Sequence, residues 1–418
     1  MTTLFWIIIL ILVLDFALNR YLGYLNTTLW SDELPQEVKG IYDAGKYKKQ
    51  QNYSKINHHF GLISESFSFM LIMLMLFLQG FAYVNKWSLD ISNNPIWSAL
   101  IFFGILTFAS DILTMPFSIY DTFVIEKKFG FNKTTPKTFI MDQLKSWLLS
   151  IIIGGGLLAI IIWIYLLTGK HFWYLVWIVI SLFSVFMSVF YSSLIVPLFN
   201  KQTPLEEGEL KDAIAAFAKK VNFKIENIYV INGSKRSSKA NAYFTGMGKK
   251  KRIVLYDTLI KDLEISEIVG VLAHEIGHYK KKHVISGLIT GILETGVMLF
   301  VFSLFVGSPS LSAALGVTKP NFQIALIAFG ILYSPLSTIL GIWMNSVSRK
   351  HEYQADNFAA TNYDGSALTS SLVKLSVNSL SNLRPHPAYV FVNYSHPTLL
   401  QRIKVINKTT EEKKHKKL

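Results

Sequence analysis

No cysteine occurs in the 418 residues. Disulfides, thiolate metal ligands and cysteine nucleophiles are excluded, so any metal site must be built from His, Asp and Glu. Charge is scarce as well: Asp, Glu, Lys and Arg make up 16% of the chain, against about 25% in soluble proteins. A chain of this length could form two or three soluble domains. Apolar residues at 51%, gathered in runs of about 20, argue instead for a mainly α-helical, polytopic membrane protein. No internal repeat is visible, which weakens a transporter built on duplicated halves.

Seven apolar segments approach spanning length: residues 4–18, 67–84, 96–116, 147–167, 173–197, 284–307 and 322–343. The first is short and holds Asp15. A signal peptide is its rival reading, but Met1-Thr2-Thr3 brings no positive charge, and Asn19-Arg20-Tyr21 stands where an A-x-A site would be needed. Seven spans divide the loops into two sets. One set carries 38 of the 41 Lys and Arg, and the other only Lys86, Lys170 and Lys319. The positive-inside rule then places the N-terminus outside and the large loop and C-terminus in the cytoplasm.

The net charge of +14 thus has a topological cause. Aromatics sit in the spans and are not interleaved with the Lys runs, so no nucleic acid is expected as a partner. The lipid bilayer is. The Lys-rich tail at 413–417 is expected to be solvated and disordered, in contact with anionic headgroups at most. Asp15, Glu65, Asp111 and Glu294 lie in or beside spans, and should bond to neighbouring helices or face a polar chamber. Residues 1–200 form an N-terminal membrane region of five spans. Residues 201–418 hold the remaining two (284–307 and 322–343), a small mixed α/β stretch and the basic tail. The Lys/Ile/Asn-rich composition suggests a bacterial inner membrane.

In the α/β stretch, apolar spacing predicts a helix within 205–221, and strands at 228–231, 241–244 and 252–256. Gly246 and Gly248 make the last two a hairpin, with Lys249-Lys250-Lys251 as its exposed tip. An amphipathic helix over 265–278 follows, containing His274-Glu275-Ile276-Gly277-His278. At about 100° per residue the two histidines stand about 40° apart on one face, so both can reach one zinc ion. Glu275 lies beside them as general base for the attacking water and acid for the leaving amine. His283 is about 180° away from His274 by helix phase, and the third His of the metzincin pattern would fall at Val284. The third ligand must come from elsewhere.

A helix after the seventh span offers it. In Ser348-Arg349-Lys350-His351-Glu352-Tyr353-Gln354-Ala355-Asp356, Glu352 and Asp356 are an i,i+4 pair. Glu352 would complete a His₂Glu site with a position open for water, with His351 as the competing candidate. Asp356 would hold a ligand histidine through its other ring nitrogen.

At this point the chain resembles the CAAX prenyl protease 1 family of integral-membrane zinc metallopeptidases. The likeness rests on Tyr120–Glu126 with Gly130–Thr135, on Gly233–Ser238 followed by Asn241-Ala242-Tyr243-Phe244, on the two metal motifs, and on Ser395-His396-Pro397-Thr398 with Arg402. It departs from the family at Lys239, where a His is frequent. The resemblance implies that Glu352, rather than His351, is the third ligand to one Zn²⁺ per chain. It implies that His396 stabilises the oxyanion and that Arg402 orders the site. Asn241 and Ala242 would lie on an edge strand that pairs with the substrate backbone. The architecture implied is seven transmembrane helices around a hydrated chamber, with a small cytoplasmic α/β catalytic region of gluzincin type. The reaction implied is removal of the last three residues from prenylated CAAX proteins or peptides. Two other readings stand beside it: a membrane quality-control metalloprotease of broad specificity, and a transporter or non-catalytic scaffold.

Overall fold

Long apolar runs with capping residues at their N-terminal ends fold as helices here. The computed structural model describes residues 2–225, 227–246 and 251–415. The membrane part comprises α1 (Thr3–Thr27), α2 (Ala44–Phe77), α3 (Gly80–Ile91), α4 (Pro95–Tyr120), α5 (Pro136–Leu149), α6 (Gly156–Thr168) and α7 (Phe172–Leu194). Asp43, Asn94 and Thr135 cap α2, α4 and α5 by accepting from backbone N–H groups of the first turn. Among the described residues, six helical runs are long and apolar enough to cross a membrane: Thr3–Thr27, Ala44–Phe77, Pro95–Phe129, Pro136–Phe199, His283–Phe305 and Phe322–Asn362. Large apolar side chains on their outer faces are exposed, Leu14, Ile151, Leu182 and Ile339 among them. Such a surface suits lipid, not water.

Two of the expected segments need correction. The first helix runs on to Thr27 and is not confined to 4–18. The segment 67–84 straddles a break: α2 ends at Phe77, and Gln79 adopts φ +53° before α3 begins. At Gly80 a Cβ would meet Met75 Sδ at 2.5 Å, so a larger residue in this tight turn would require the Met75 side chain to move. Hydropathy alone does not register such a turn. The 64-residue run Pro136–Phe199 contains both 147–167 and 173–197, interrupted by a 3₁₀ turn at Gly169–His171 where Gly169 has φ +54°.

The acids in these segments find different partners. Asp111 accepts from Gln143 Nε2 (2.9 Å) and Trp147 Nε1 (2.7 Å), an interhelical bond. Glu65 pairs with Arg20. Asp15, Arg20, His58 and Glu65 line a cavity of about 880 Å³ between α1 and α2.

A four-stranded sheet follows, ordered β1-β2-β4-β3, with β1 (Gln202–Pro204), β2 (Ile228–Ile231), β3 (Ala242–Thr245) and β4 (Arg252–Tyr256). β1 was not evident from the sequence. β3 and β4 are antiparallel as the hairpin reading expected, and β3 forms one edge. Of its expected tip, Lys249 and Lys250 lie outside the described residues. Lys251 is half-buried, its ammonium over the Phe223 and Tyr279 rings. Helices α8 (Glu209–Lys220) and α9 (Ile265–Lys280) cover the sheet, burying Ile214, Phe217, Ile253, Leu255, Ile268 and Leu272 in one core.

The remainder is helical: α10 (His283–Phe305), α11 (Phe322–Asn362), α12 (Gly365–Asn378), α13 (Pro387–Asn393) and α14 (Leu399–His415). The expected span 322–343 and the ligand helix after it are one 41-residue element, α11. At 1.5 Å per residue it reaches about 60 Å, long enough to cross a bilayer and extend well beyond it. The tail was expected to be disordered over 413–417, but α14 continues through His415, while Lys416 and Lys417 lie outside the described residues. Lys413 Nζ donates to the carbonyls of Ala360 and Tyr363 (both 3.2 Å), which end α11 without intrahelical partners.

Glu267 fastens α9 in place. Its carboxylate accepts from the Glu264 backbone N–H (2.8 Å), closing a capping box, and from Ser370 Oγ (2.6 Å) and Lys374 Nζ (2.8 Å) of α12. Burial disfavours its charged form, but the bonds from Lys374, Ser370 and the backbone outweigh burial and hold the carboxyl below its ordinary value. A lowered folded-state pKa means stability that is present above about pH 4.3 and lost as pH falls through the folded value. Glu267→Gln is expected to lower stability by about 1–3 kcal/mol at pH 7 and to flatten the acid side of a thermal-midpoint profile in detergent. An unchanged profile would contradict that role.

Candidate active site

Two helices bring the site together because a glycine lets them approach. At Gly277 a Cβ would meet Ala355 Cα at 3.1 Å and its carbonyl oxygen at 3.2 Å. Any side chain there would force α9 away from α11. With glycine, His274 and His278 face Glu352.

His274 Nε2 and His278 Nε2 lie 3.0 Å apart. Glu352 Oε1 is 3.2 Å from His278 Nε2, and Oε2 is 3.4 Å from His274 Nε2. One donor atom from each residue falls within 4.8 Å of the others. Separations of this size suit the edges of a tetrahedron whose centre is about 2 Å from each ligand, as zinc requires. Glu352 is buried, and its Oε2 has no hydrogen-bond partner. A buried carboxylate oxygen left in that state is costly unless a cation takes it up. The donor set therefore fits a bound metal ion.

Behind the cluster, Asp356 is fully buried on α11. Its Oδ1 accepts from His274 Nδ1 (2.9 Å), which leaves Nε2 turned toward Glu352. Arg402 of α14 grips the same carboxylate with two bonds, Nε to Oδ2 at 2.9 Å and a terminal nitrogen to Oδ1 at 2.6 Å. Burial opposes a proton on His274, but the bond to Asp356 and the nearby Glu352 carboxylate outweigh it and push its pKa up to about 9. Glu275 is half-buried and, among the described residues, makes no hydrogen bond or ion pair. His396 lies between α13 and α14 with its side chain 63% exposed and its Nε2 3.3 Å from Glu352 Oε1.

His283 is not among the converging donors, as expected, but helix phase does not describe its position. That argument needs an unbroken helix, but α9 stops and Lys282 adopts φ +60°, which turns the chain back. His283 begins α10 with its Nδ1 2.9 Å from His278 Nδ1. Its ring stacks on His351 at 4.0 Å between centroids. The rival ligand His351 is thus occupied with His283, while Glu352 faces the cluster.

Asn241 is exposed and immediately precedes β3, its Oδ1 accepting from the Ala242 N–H (2.8 Å). Ala242 pairs with Leu255 on one side of β3, the other side being the sheet edge. Lys239 anchors this region to the membrane part: its Nζ is 2.8 Å from Glu126 Oε2 and lies over the Phe131 ring. Arg236 does the same through Asp142, with bonds of 2.7 and 2.8 Å.

A His-Glu-x-x-His helix facing a carboxylate on a membrane-crossing helix marks an integral-membrane metallopeptidase. Residues 24–201 match the family described as CAAX prenyl protease N-terminal, five membrane helices, and residues 204–410 match peptidase family M48. The chain is 32% identical to CAAX prenyl protease 1 of Saccharomyces cerevisiae, over 96% of its own length and 95% of the yeast protein. It is 35% identical to the Arabidopsis thaliana homologue, covering 91% and 92%. The crystal structure of S. mikatae Ste24p superposes with a TM-score of 0.90 at 32% identity, covering 97% of this chain and 99% of that one. The chain belongs to the CAAX prenyl protease 1 family, and it is a metallopeptidase. These relatives are eukaryotic, so the bacterial expectation gains no support from them.

Proposed function

We propose that this protein is a zinc endopeptidase that removes the C-terminal tripeptide from prenylated CAAX proteins at a membrane. The observation that carries the reading is the converging set His274, His278 and Glu352 with Glu275 beside it, in a chain whose relatives bear the name CAAX prenyl protease 1. His274, His278 and Glu352 would hold the zinc, which when bound would supply Lewis-acid polarisation of the scissile carbonyl. Glu275 takes the proton of the attacking water and returns it to the leaving amine. His396 donates to the oxyanion as it forms. The free edge of β3 pairs with the substrate backbone at Asn241 and Ala242. Asp356 and Arg402 keep His274 turned toward the metal.

Seven spans are supported by the turn at Gly169, since a straight run of 64 residues would reach about 96 Å, three times a bilayer core of about 30 Å. The polar cavity lined by Asp15, Arg20 and Glu65 supports a hydrated chamber. The lopsided Lys and Arg distribution supports a cytoplasmic catalytic region and an outside N-terminus. A division near residue 200 separates the five-span region from the metallopeptidase region.

The purified protein is expected to release the tripeptide from a farnesylated CAAX peptide faster than from its unprenylated twin. Equal rates would overturn the prenyl specificity and favour a protease of broad substrates.

A further inference from the structure

We propose that His283 and Gln354 form a hydrogen-bond relay that holds His278 in the one tautomer able to bind metal. This inference rests on the metal-site reading above. His278 Nδ1 and His283 Nδ1 are 2.9 Å apart, and His283 Nε2 is 2.8 Å from Gln354 Oε1. Three helices meet in this chain: His278 on α9, His283 at the start of α10, and Gln354 on α11 between Glu352 and Asp356. His283 is buried, clamped by the His351 ring at an interplanar angle of 8°.

A neutral imidazole carries one N–H and one lone pair, so the protons along such a chain can run in only two directions. In the first, His283 Nε2–H donates to Gln354 Oε1. His283 Nδ1 then accepts from His278 Nδ1–H, and His278 Nε2 keeps its lone pair for the metal position it shares with Glu352. In the second, the amide NH₂ of Gln354 donates, His283 Nδ1–H points at His278, and His278 must carry its proton on Nε2. That proton would occupy the ligand position. Only the first direction permits metal, and it is the one that matches the amide orientation present here, with Gln354 Oε1 facing His283 Nε2. Asp356 performs the same service for His274. Each ligand histidine thus has its own acceptor on α11, and the one serving His278 acts through a second ring. His283 and Gln354 are positioning residues.

The test is zinc affinity of the full-length protein in detergent, by competition with a chromogenic chelator. His283→Phe keeps the stacking on His351 but neither nitrogen, and Gln354→Met keeps the bulk but no acceptor. Each is expected to weaken zinc binding by roughly 10–100-fold. His283→Gln and Gln354→Glu restore an acceptor and are expected to hold zinc close to the parent. The thermal midpoint of each metal-free variant reports folding, and half-buried Gln354 decides the matter if the His283 variants fail to fold. Parent-like affinity in Gln354→Met, or a Gln354→Glu variant as weak as Gln354→Met, would overturn the relay. A parent that binds no zinc would instead overturn the metal site itself.

Discussion

Glu275→Gln is expected to keep the metal and lose cleavage, with kcat falling by about 10²–10⁴-fold. The substitution preserves size and hydrogen bonding and removes only the capacity to accept and return a proton. Glu275 is free to act: it is half-buried and has no hydrogen bond or ion pair among the described residues. The carboxylates that hold the site together behave differently. Glu267, Glu352 and Asp356 are buried, each within 4 Å of a cation or histidine. A steady-state assay on a farnesylated peptide, run beside a zinc determination, separates the two roles. Parent-like kcat in Glu275→Gln would remove it from the reaction.

Asp356→Ala is expected to be the most destabilising change in the site. Three bonds converge on this buried carboxylate, two from Arg402 and one from His274. Without it the Arg402 guanidinium, itself little exposed, keeps Glu352 Oε2 at 3.6 Å as its nearest carboxylate, beside a 3.3 Å contact to His274 Nδ1. Leaving a buried charge without its partner costs about 3–5 kcal/mol. A second loss follows, because nothing then fixes the proton of His274 on Nδ1, and zinc affinity should fall by roughly 10–100-fold. Asp356→Asn keeps an acceptor for His274 and should fall between parent and alanine variant in both measurements. An alanine variant with unchanged thermal midpoint and zinc affinity would contradict this arrangement.

The parts of the site that were legible in the sequence are those that one helix dictates. The i,i+4 spacing puts His274 and His278 on one face, and the same spacing puts Glu352 and Asp356 together, whatever lies around them. Facts that depend on two elements were not legible. The role of Gly277 appears only once Ala355 is known to press against it. The contact of His283 with His278 was not legible, because it depends on the left-handed turn at Lys282. Spacing alone left Glu352 and His351 open and the family resemblance chose Glu352; the physical reason, the His283 ring stacked on His351, lies outside that helix. The membrane part shows the same division. Apolar runs announced most of the spans, but the turn at Gln79, with its left-handed backbone, leaves no mark that hydropathy sees. The basic tail failed for a related reason: Lys413 gains order from the open carbonyls at the end of α11, far away in sequence.

The central claim is that His274, His278 and Glu352 together hold one catalytic zinc ion. Zinc content of the purified protein, measured beside Glu352→Ala, tests it most directly. The account predicts about one zinc per chain in the parent, as a single His₂Glu site requires, and a sharp loss in the variant. A folded parent without zinc, or a variant that keeps its full complement, would contradict it.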